Sequence, residues 1–452
     1  MSDSPRGSVL TRAMRPVNTV VERWIPSALV FAVALTFVVA VMALLLTDAG
    51  PVDVVVGWGD GLSGLLAFIT QMALILLLGH TLAHTRPVRR LLRVLGSVPR
   101  TAAQAYVFVF VVAAVAALVT WGLGLVVGAL LAKEVAAQGR EKGLRLHFPM
   151  LVAAGFSGFV VWHMGYSGSA PLTAATPDSF VVEALGEPLP LSQTTFALWN
   201  VVAAVLVVAV VALALWLVAP RGDDRVVELD VDAREGDVDL DDTVVTPADR
   251  VDASRVPTLA LGLFLVLYLV LHFSDGGGLT LDVVNWTFLA LILLLVLHPF
   301  ELIALVKNAA ANVGEILLQF PLYAGILGIM TASGLIEVLS DAITSVASPT
   351  TFGVLAFLSA GVVNFFVPSG GGQLAVQGPV LLGAAESLGV DPSVAIMAVA
   401  YGDQWTNMIQ PFWALPLLAI AGLKMRDILG YTTVTLLASG VVFAGTLLVV
   451  SG

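Results

Sequence analysis

Residues 364–423 read NFFVPSGGGQLAVQGPVLLGAAESLGVDPSVAIMAVAYGDQWTNMIQPFWALPLLAIAGL. Ser369, three glycines and Gln373 lie between two apolar arms, and further on Gly402-Asp403-Gln404-Trp405-Thr406-Asn407 interrupts a second apolar run. Lipid offers no partner to a freed backbone N–H or C=O. Polar breaks of this kind survive at membrane depth only where they are buried in protein or line a cavity. The rest of the chain reads as a frame that holds them.

Composition supports that frame. The 452 residues are 58% hydrophobic and 12% charged, whereas a soluble chain carries about 25% charge. Many runs approach the roughly 20 apolar residues that cross a bilayer. The expected class is an all-α polytopic membrane protein of the cell membrane, with about ten or eleven crossings. A β-barrel would show alternating segments of about 10 residues instead. Cysteine is absent, which excludes disulfides and thiolate metal sites, and the six histidines do not cluster. No cleavable signal is evident, because the run after Trp24 is long enough to span.

Residues 1–23 form a basic arm with Arg6, Arg12, Arg15 and Arg23, placed in the cytoplasm by the positive-inside rule. Residues 24–219 read as a first membrane repeat. Within it 104–137 is too long for one upright helix and is expected to make two passes divided at Trp121-Gly122-Leu123-Gly124, with one long tilted helix as the alternative. Residues 148–185 place short apolar arms around Gly165-Tyr166-Ser167-Gly168-Ser169, the pattern of a re-entrant hairpin. Residues 220–256 form an acidic linker expected to be disordered, with 12 carboxylates against 5 arginines in 221–256 and too little apolar content to pack. Residues 257–452 read as a second repeat, with a hairpin near 352–389 and a broken helix near 393–423. The string ALILLL at 73–78 recurs at 290–295. A long apolar segment, a hairpin-like pair of arms and a polar-started span follow each copy. Two halves with matching broken elements point to a secondary transporter whose site lies between inverted repeats.

The chemistry follows from the residue types at the breaks. Glycine lets backbone approach a ligand closely, and helix N-termini offer free N–H groups to a carboxylate. Ser167, Gly168, Ser169 and Thr173 of one tip, and Ser369, Gly370, Gly371 and Gln373 of the other, are the expected substrate contacts, with Thr406 and Asn407. No Lys or Arg lies in either break, which favours a small monoanion. Asp403 is the costly residue: an ionised carboxylate at the bilayer centre is unfavourable by at least about 2.5–3.5 kcal/mol. With Gly402, Gln404 and Gln410 it offers an oxygen-rich setting for a coupling cation, either Na+ or an exchangeable proton. His163 reads as a packed histidine, and Trp405 and Trp413 as packing residues.

Two protease motifs fail. Gly165-Tyr166-Ser167-Gly168 lacks a later histidine at the same depth to activate the serine. Gly57-Trp58-Gly59-Asp60 lacks the Tyr-Asp pair that would supply a second aspartate. No enzyme, nucleic-acid or cofactor signature remains.

With these residues in view the chain resembles the bacterial short-chain fatty acid transporter family. The resemblance spans about residues 18–451 apart from the acidic linker. It is carried by Trp58-Gly59-Asp60-Gly61, Gln71-Met72-Ala73-Leu74, Trp121-Gly122-Leu123-Gly124, Ser167-Gly168-Ser169-Ala170-Pro171-Leu172 and Ala175-Thr176-Pro177. Most specific are Val367-Pro368-Ser369-Gly370-Gly371-Gly372-Gln373 with Val376-Gln377-Gly378-Pro379, and Gly402-Asp403-Gln404-Trp405-Thr406-Asn407-Met408-Ile409-Gln410-Pro411-Phe412-Trp413. The resemblance implies an ion-coupled anion transporter with inverted repeats and paired re-entrant hairpins, in a superfamily where homodimers are common. The expected activity is symport of short-chain monocarboxylates such as butyrate or acetoacetate with Na+ or H+. Dicarboxylates or another small organic anion are the alternative.

Overall fold

The computed structural model describes residues 28–452 apart from 65, 176–179, 221–225, 230–244, 279–280, 311–312, 336, 339–341, 343–344 and 367–369. The described elements are helices. The first half holds α1 (Ala28–Leu46), α2 (Pro51–Gly64), α3 (Leu66–His84), α4 (Arg86–Gly96), α5 (Ala102–Val119), α6 (Trp121–Glu141) and α7 (Phe148–Ser157). A 3-10 segment, Gly158–Met164, then leads to α8 (Ser169–Ala174), α9 (Phe180–Leu185) and α10 (Leu198–Val218). Inside the 220–256 linker, expected to be disordered, a short helix forms at α11 (Pro247–Asp252), where Thr246 and Asp249 make a capping box. Then come α12 (Val256–Ser274), α13 (Leu281–Leu295), α14 (Pro299–Ala310), α15 (Gly314–Ser333), α16 (Pro349–Phe366), α17 (Gly370–Leu388) and α18 (Pro392–Thr406). A second 3-10 turn, Asn407–Ile409, precedes α19 (Pro411–Ala421) and α20 (Met425–Ser451).

Among the described residues seven helices are long and apolar enough to cross a membrane, or eight if the bent pair α2–α3 counts as one span. The chain is therefore a multi-pass membrane protein. Stretches such as Asp282–Leu295, Leu317–Ser333 and Pro411–Ala421 are apolar but shorter, and the expected ten or eleven crossings differ from seven in these.

Burial sorts the helices into layers. On α12 only Thr258, Gly262 and Leu269 are buried, while Leu263, Phe264 and Leu267 face outward. A helix apolar on all sides with its side chains outward is stable only against lipid. Phe148–Met164 is buried at every residue, and so is most of α18 and α19. The interrupted segments thus lie innermost. The two ALILLL copies face each other: Leu78 of α3 and Ile292 of α13 share one apolar cluster. Gln71 Nε2 also donates to Asp282 Oδ1 at 2.9 Å.

Residues 104–137 form two helices that reverse at Thr120, which is extended. A Cβ built on Gly124 would stand 2.6 Å from the Ala117 Cβ. In one continuous helix these positions would be about 10 Å apart. The hairpin of the first half is therefore α5–α6. This corrects the reading of 148–185 as a hairpin. There, α7, the 3-10 segment and α8 run on as one interrupted span, Phe148–Ala174, and the Gly/Ser-rich stretch is its break. In the second half α16 and α17 lie side by side, tied by Gln373 Nε2 to the Ala360 carbonyl at 2.8 Å and Gln377 Nε2 to Ser359 Oγ at 2.8 Å. Each half thus runs hairpin, interrupted span, long closing helix: α5–α6, α7–α8, α10, then α16–α17, α18–α19, α20.

His147 stands just before the interrupted span. Its Nδ1 accepts the Val227 N–H at 2.9 Å, and burial pushes the imidazole down to about 4 from 6.5. Between those values the unfolded chain takes a proton that the folded chain refuses. Stability is therefore expected to fall as pH drops from about 6.5 to about 4 and to level off below. Melting temperatures of the wild type and His147→Gln across that range check this. The variant should lose part of the slope, and equal slopes would count against it.

Candidate functional site

The two interrupted spans meet at their breaks. The first break extends from the 3-10 segment through Gly165 to Gly168, and its far side is capped by the α5–α6 tip. Tyr166 N–H donates to the Leu118 carbonyl at 2.8 Å, and Ser167 Oγ accepts the Trp121 N–H at 3.1 Å. Gly165 has to be glycine, because a Cβ there would stand 2.2 Å from the Leu118 oxygen. Ser167 is therefore committed to holding the start of α6.

His163 joins the halves. Its ring and the Asp403 side chain are both fully buried, with Nδ1 3.0 Å from Asp403 Oδ2. The same Nδ1 lies 3.1 Å from the Ala400 carbonyl, toward which its N–H is better aimed. Asp403 consequently receives no well-directed hydrogen bond on either oxygen. On the other edge of the ring Nε2 lies 2.8 Å from Ser169 Oγ and accepts the Ala170 N–H at 3.3 Å. The His163 N–H donates to Gln404 Oε1 at 3.0 Å. The ring stacks on Trp162 with centroids 3.7 Å apart.

The second hairpin closes on the same place. A Cβ on Gly370 would meet His163 Cε1 at 2.3 Å and Ser169 Oγ at 2.6 Å, so the start of α17 lies directly on the imidazole. Gly371 is looser, with a built Cβ 3.9 Å from the Ser169 Cβ. Ser369 lies outside the described residues. Thr173 is half-buried one turn beyond Ser169 on α8, and Gly168 is buried against the His163 carbonyl. Gly402 lets α16 and α18 touch, a Cβ there meeting the Phe357 carbonyl at 2.6 Å.

The oxygens around Asp403 are partly engaged. Asn364 Nδ2 donates to the Asp403 carbonyl at 2.9 Å, Thr406 Oγ1 at 2.9 Å and Asn407 Oδ1 at 2.7 Å. An amide nitrogen thus occupies the point where three candidate cation ligands converge. Gln404 offers its oxygen to His163. These residues do not compose an oxygen shell around the carboxylate, whose near neighbour is the imidazole.

Several buried donors have no partner among the described residues: Gln404 Nε2, Asn407 Nδ2, Gln410 Nε2 and Trp162 Nε1. Gln404, Asn407 and Gln410 are 0% exposed. Unpaired buried amides are costly, and each asks for a partner that the described residues do not supply. Apolar walls adjoin them. Trp413 lies 5.2 Å from Trp121, 5.4 Å from Phe159 and 6.1 Å from Trp162, ring centre to ring centre. No Lys or Arg is among the buried described residues.

The structure brings Asp403, Gln404, Ser169 and Gly370 together, and it adds His163 and Asn364, which the sequence did not point to, at the same place. A histidine inside an apolar run carries no local sign of a carboxylate 240 positions later in the chain. Its spacing of six residues from Ser169 in a segment with broken helical period was the available clue.

A family model described as short chain fatty acid transporter matches residues 9–450. A protein of Escherichia coli (strain K12), provisionally named a short-chain fatty acid transporter, is 41% identical over 439 residues, covering 96% of this chain and 98% of that one. A Haemophilus influenzae protein with the same provisional name is 37% identical over 444 residues, covering 96% and 98%. Among solved structures, the YdaH transporter of Alcanivorax borkumensis aligns over 93% of this chain and 98% of that chain at 15% identity, with a TM-score of 0.41.

Proposed function

The chain belongs to the short-chain fatty acid transporter family, a family of transport proteins rather than enzymes, and from that premise we propose that it carries short-chain monocarboxylates, butyrate and acetoacetate among them, by symport with a cation, H+ or Na+. The observation that carries this reading is a buried site that, among the described residues, is rich in unpartnered amide donors and free of Lys and Arg. Gln404, Asn407 and Gln410, at the seam of α18 and α19, present N–H groups to a carboxylate, and the start of α19 adds the positive end of a helix. The Trp413, Trp162 and Phe159 walls suit a short alkyl tail. Neutral donors hold a monoanion loosely enough for release.

Charge explains the need for a cation. Asp403 already contributes one buried negative charge. A substrate carboxylate beside it would leave two, with no fixed cation to compensate, and uncompensated buried charge is severely unfavourable. A cation entering with the substrate removes the conflict and couples the two fluxes. Alternating access follows if the unit bearing the two interrupted spans moves against the outer frame.

Counterflow of labelled butyrate in proteoliposomes, with protein-free vesicles subtracted, tests the substrate. Unlabelled acetate, butyrate and acetoacetate on the far side should accelerate exchange, and succinate should not. Exchange driven equally by succinate would favour the dicarboxylate alternative, and exchange with no short acid would remove the proposal.

A further inference from the structure

We propose that the coupling ion is a proton held on the His163 imidazole against Asp403, and that its arrival turns the Ser169 hydroxyl into a donor for the substrate carboxylate. The inference rests on the transport reading above and identifies the ion and its carrier.

Three contacts fix the resting arrangement. Because the Ala170 N–H donates to Nε2, that nitrogen carries a lone pair and the ring proton sits on Nδ1, facing the Ala400 carbonyl and Asp403 Oδ2. Nε2 then also accepts the Ser169 hydroxyl hydrogen over 2.8 Å. In this state Ser169 has no hydrogen to offer a ligand, and the pair carries the full charge of Asp403.

Adding one proton to Nε2 changes both properties. The imidazolium neutralises Asp403 across 3.0 Å. Nε2 now donates to Ser169 Oγ, which reverses that hydrogen bond, releases the one from the Ala170 N–H and frees the hydroxyl hydrogen to point away from the ring. It then faces the start of α17 beside Gly371, where a built Cβ would find only the Ser169 Cβ, at 3.9 Å, within 4 Å. One proton enters with one carboxylate, so the site returns to the net charge it had when empty.

The surroundings isolate this pair. α5, α6, α7, α8, α10 and α18 pack around the 3-10 segment that bears His163. Among the described residues the ionisable group against the ring is Asp403. The Tyr106 hydroxyl serves the His147 N–H, and the Tyr401 hydroxyl donates to Asn200 Oδ1. Lys133, Glu134 and Arg140 of α6 bond to the Ile420 carbonyl, the Gln138 amide and the Leu229 carbonyl. Glu141 is exposed at the end of that helix. A sodium ion finds less: the convergent oxygens of Asp403, Thr406 and Asn407 already hold the Asn364 amide.

Titration calorimetry of butyrate into the full-length protein in detergent tests this. It is run at mildly alkaline pH in two buffers of different ionisation heat, with sodium and then with choline. Counting protons this way avoids the passive flux of butyric acid across vesicles. Wild type should take up about one proton per butyrate and bind equally in choline. His163→Gln should bind far more weakly, and whatever binding remains should show no proton uptake. Ser169→Ala should keep the uptake but bind about ten- to a hundredfold more weakly, as expected for a lost hydrogen bond to a charged group. Wild-type binding without proton uptake, or binding that requires sodium, overturns the proton assignment and leaves the substrate reading standing. Binding of no short acid removes both. If His163→Gln does not fold, the wild-type proton count and the Ser169→Ala affinity decide.

Discussion

Asp403→Ala is expected to abolish accumulation of butyrate, the largest functional loss of any single substitution in this chain. The substitution deprives the protonated His163 of the carboxylate 3.0 Å away, and loss of one partner of such a buried pair costs the proton-loaded state about 3–5 kcal/mol, a factor of more than about 100 in an equilibrium. Here the loss falls on the element that links the two halves and on the charge that makes a cation necessary. Asp403→Asn separates these roles. It keeps the shape of the side chain and its place against His163, so the protein should fold and exchange butyrate. It has no charge to neutralise, so a gradient should no longer drive uptake against concentration. Uptake traces of wild type, Asp403→Asn and Asp403→Ala in the same proteoliposomes read both effects. Accumulation by Asp403→Asn at the wild-type level would show that the carboxylate is structural.

Gly155→Val should have the largest effect on stability. Gly155 of α7 and Gly128 of α6 cross backbone to backbone: a Cβ on Gly155 would stand 2.6 Å from the Gly128 oxygen, and one on Gly128 2.8 Å from the Gly155 oxygen. Neither atom is a flexible side-chain end, so the two helices have to separate. Ordinary overpacking costs about 1–3 kcal/mol, and a rigid backbone clash at an innermost crossing exceeds that range. The expected result is little folded protein in detergent extracts. Gly445→Ala is the control. Nothing lies within 4 Å of its Cβ position on α20, and alanine favours the helix by about 1 kcal/mol. Size-exclusion profiles and melting curves compare the two. A monodisperse Gly155→Val protein with wild-type melting would contradict the close crossing.

The class of the fold was legible because it rests on hydropathy, which every residue of a span reports. The second half was legible in detail because its polar residues sit at its breaks: Gly370 to Gln373 open α17, and Asp403 to Gln410 occupy the seam of the interrupted span. The first half misled for the same reason. Its Gly/Ser-rich stretch at 165–169 resembled a hairpin tip, whereas the reversal at Thr120 is a single extended residue between apolar helices. Length marked a reversal within 104–137, and the two helices agree with the two-pass expectation, but that this pair is the hairpin shows only in the contact between Gly124 and Ala117. Asn364 was passed over because it ends an apolar arm, and its three acceptors come from a helix about forty positions later. His163 was read as packing because its partner lies in the other half of the chain.

Those two readings share a physical origin. Polar groups at a membrane-depth break must be satisfied by something, and sequence shows the need but not the supplier. In this chain each half supplies the other: the imidazole of the first break faces the carboxylate of the second, and the tip of the second hairpin lies on the serine of the first.

The absence of cysteine makes that meeting directly measurable. In Ser169→Cys/Gly371→Cys the two Cβ positions stand 3.9 Å apart, inside the roughly 3.5–4.5 Å range of a disulfide. After mild oxidation in membranes, non-reducing peptide mapping should recover the peptide bearing residue 169 joined to the peptide bearing residue 371. Recovery of the two peptides only as separate species, from protein that still purifies as a folded monodisperse peak, would contradict a shared site between the two breaks.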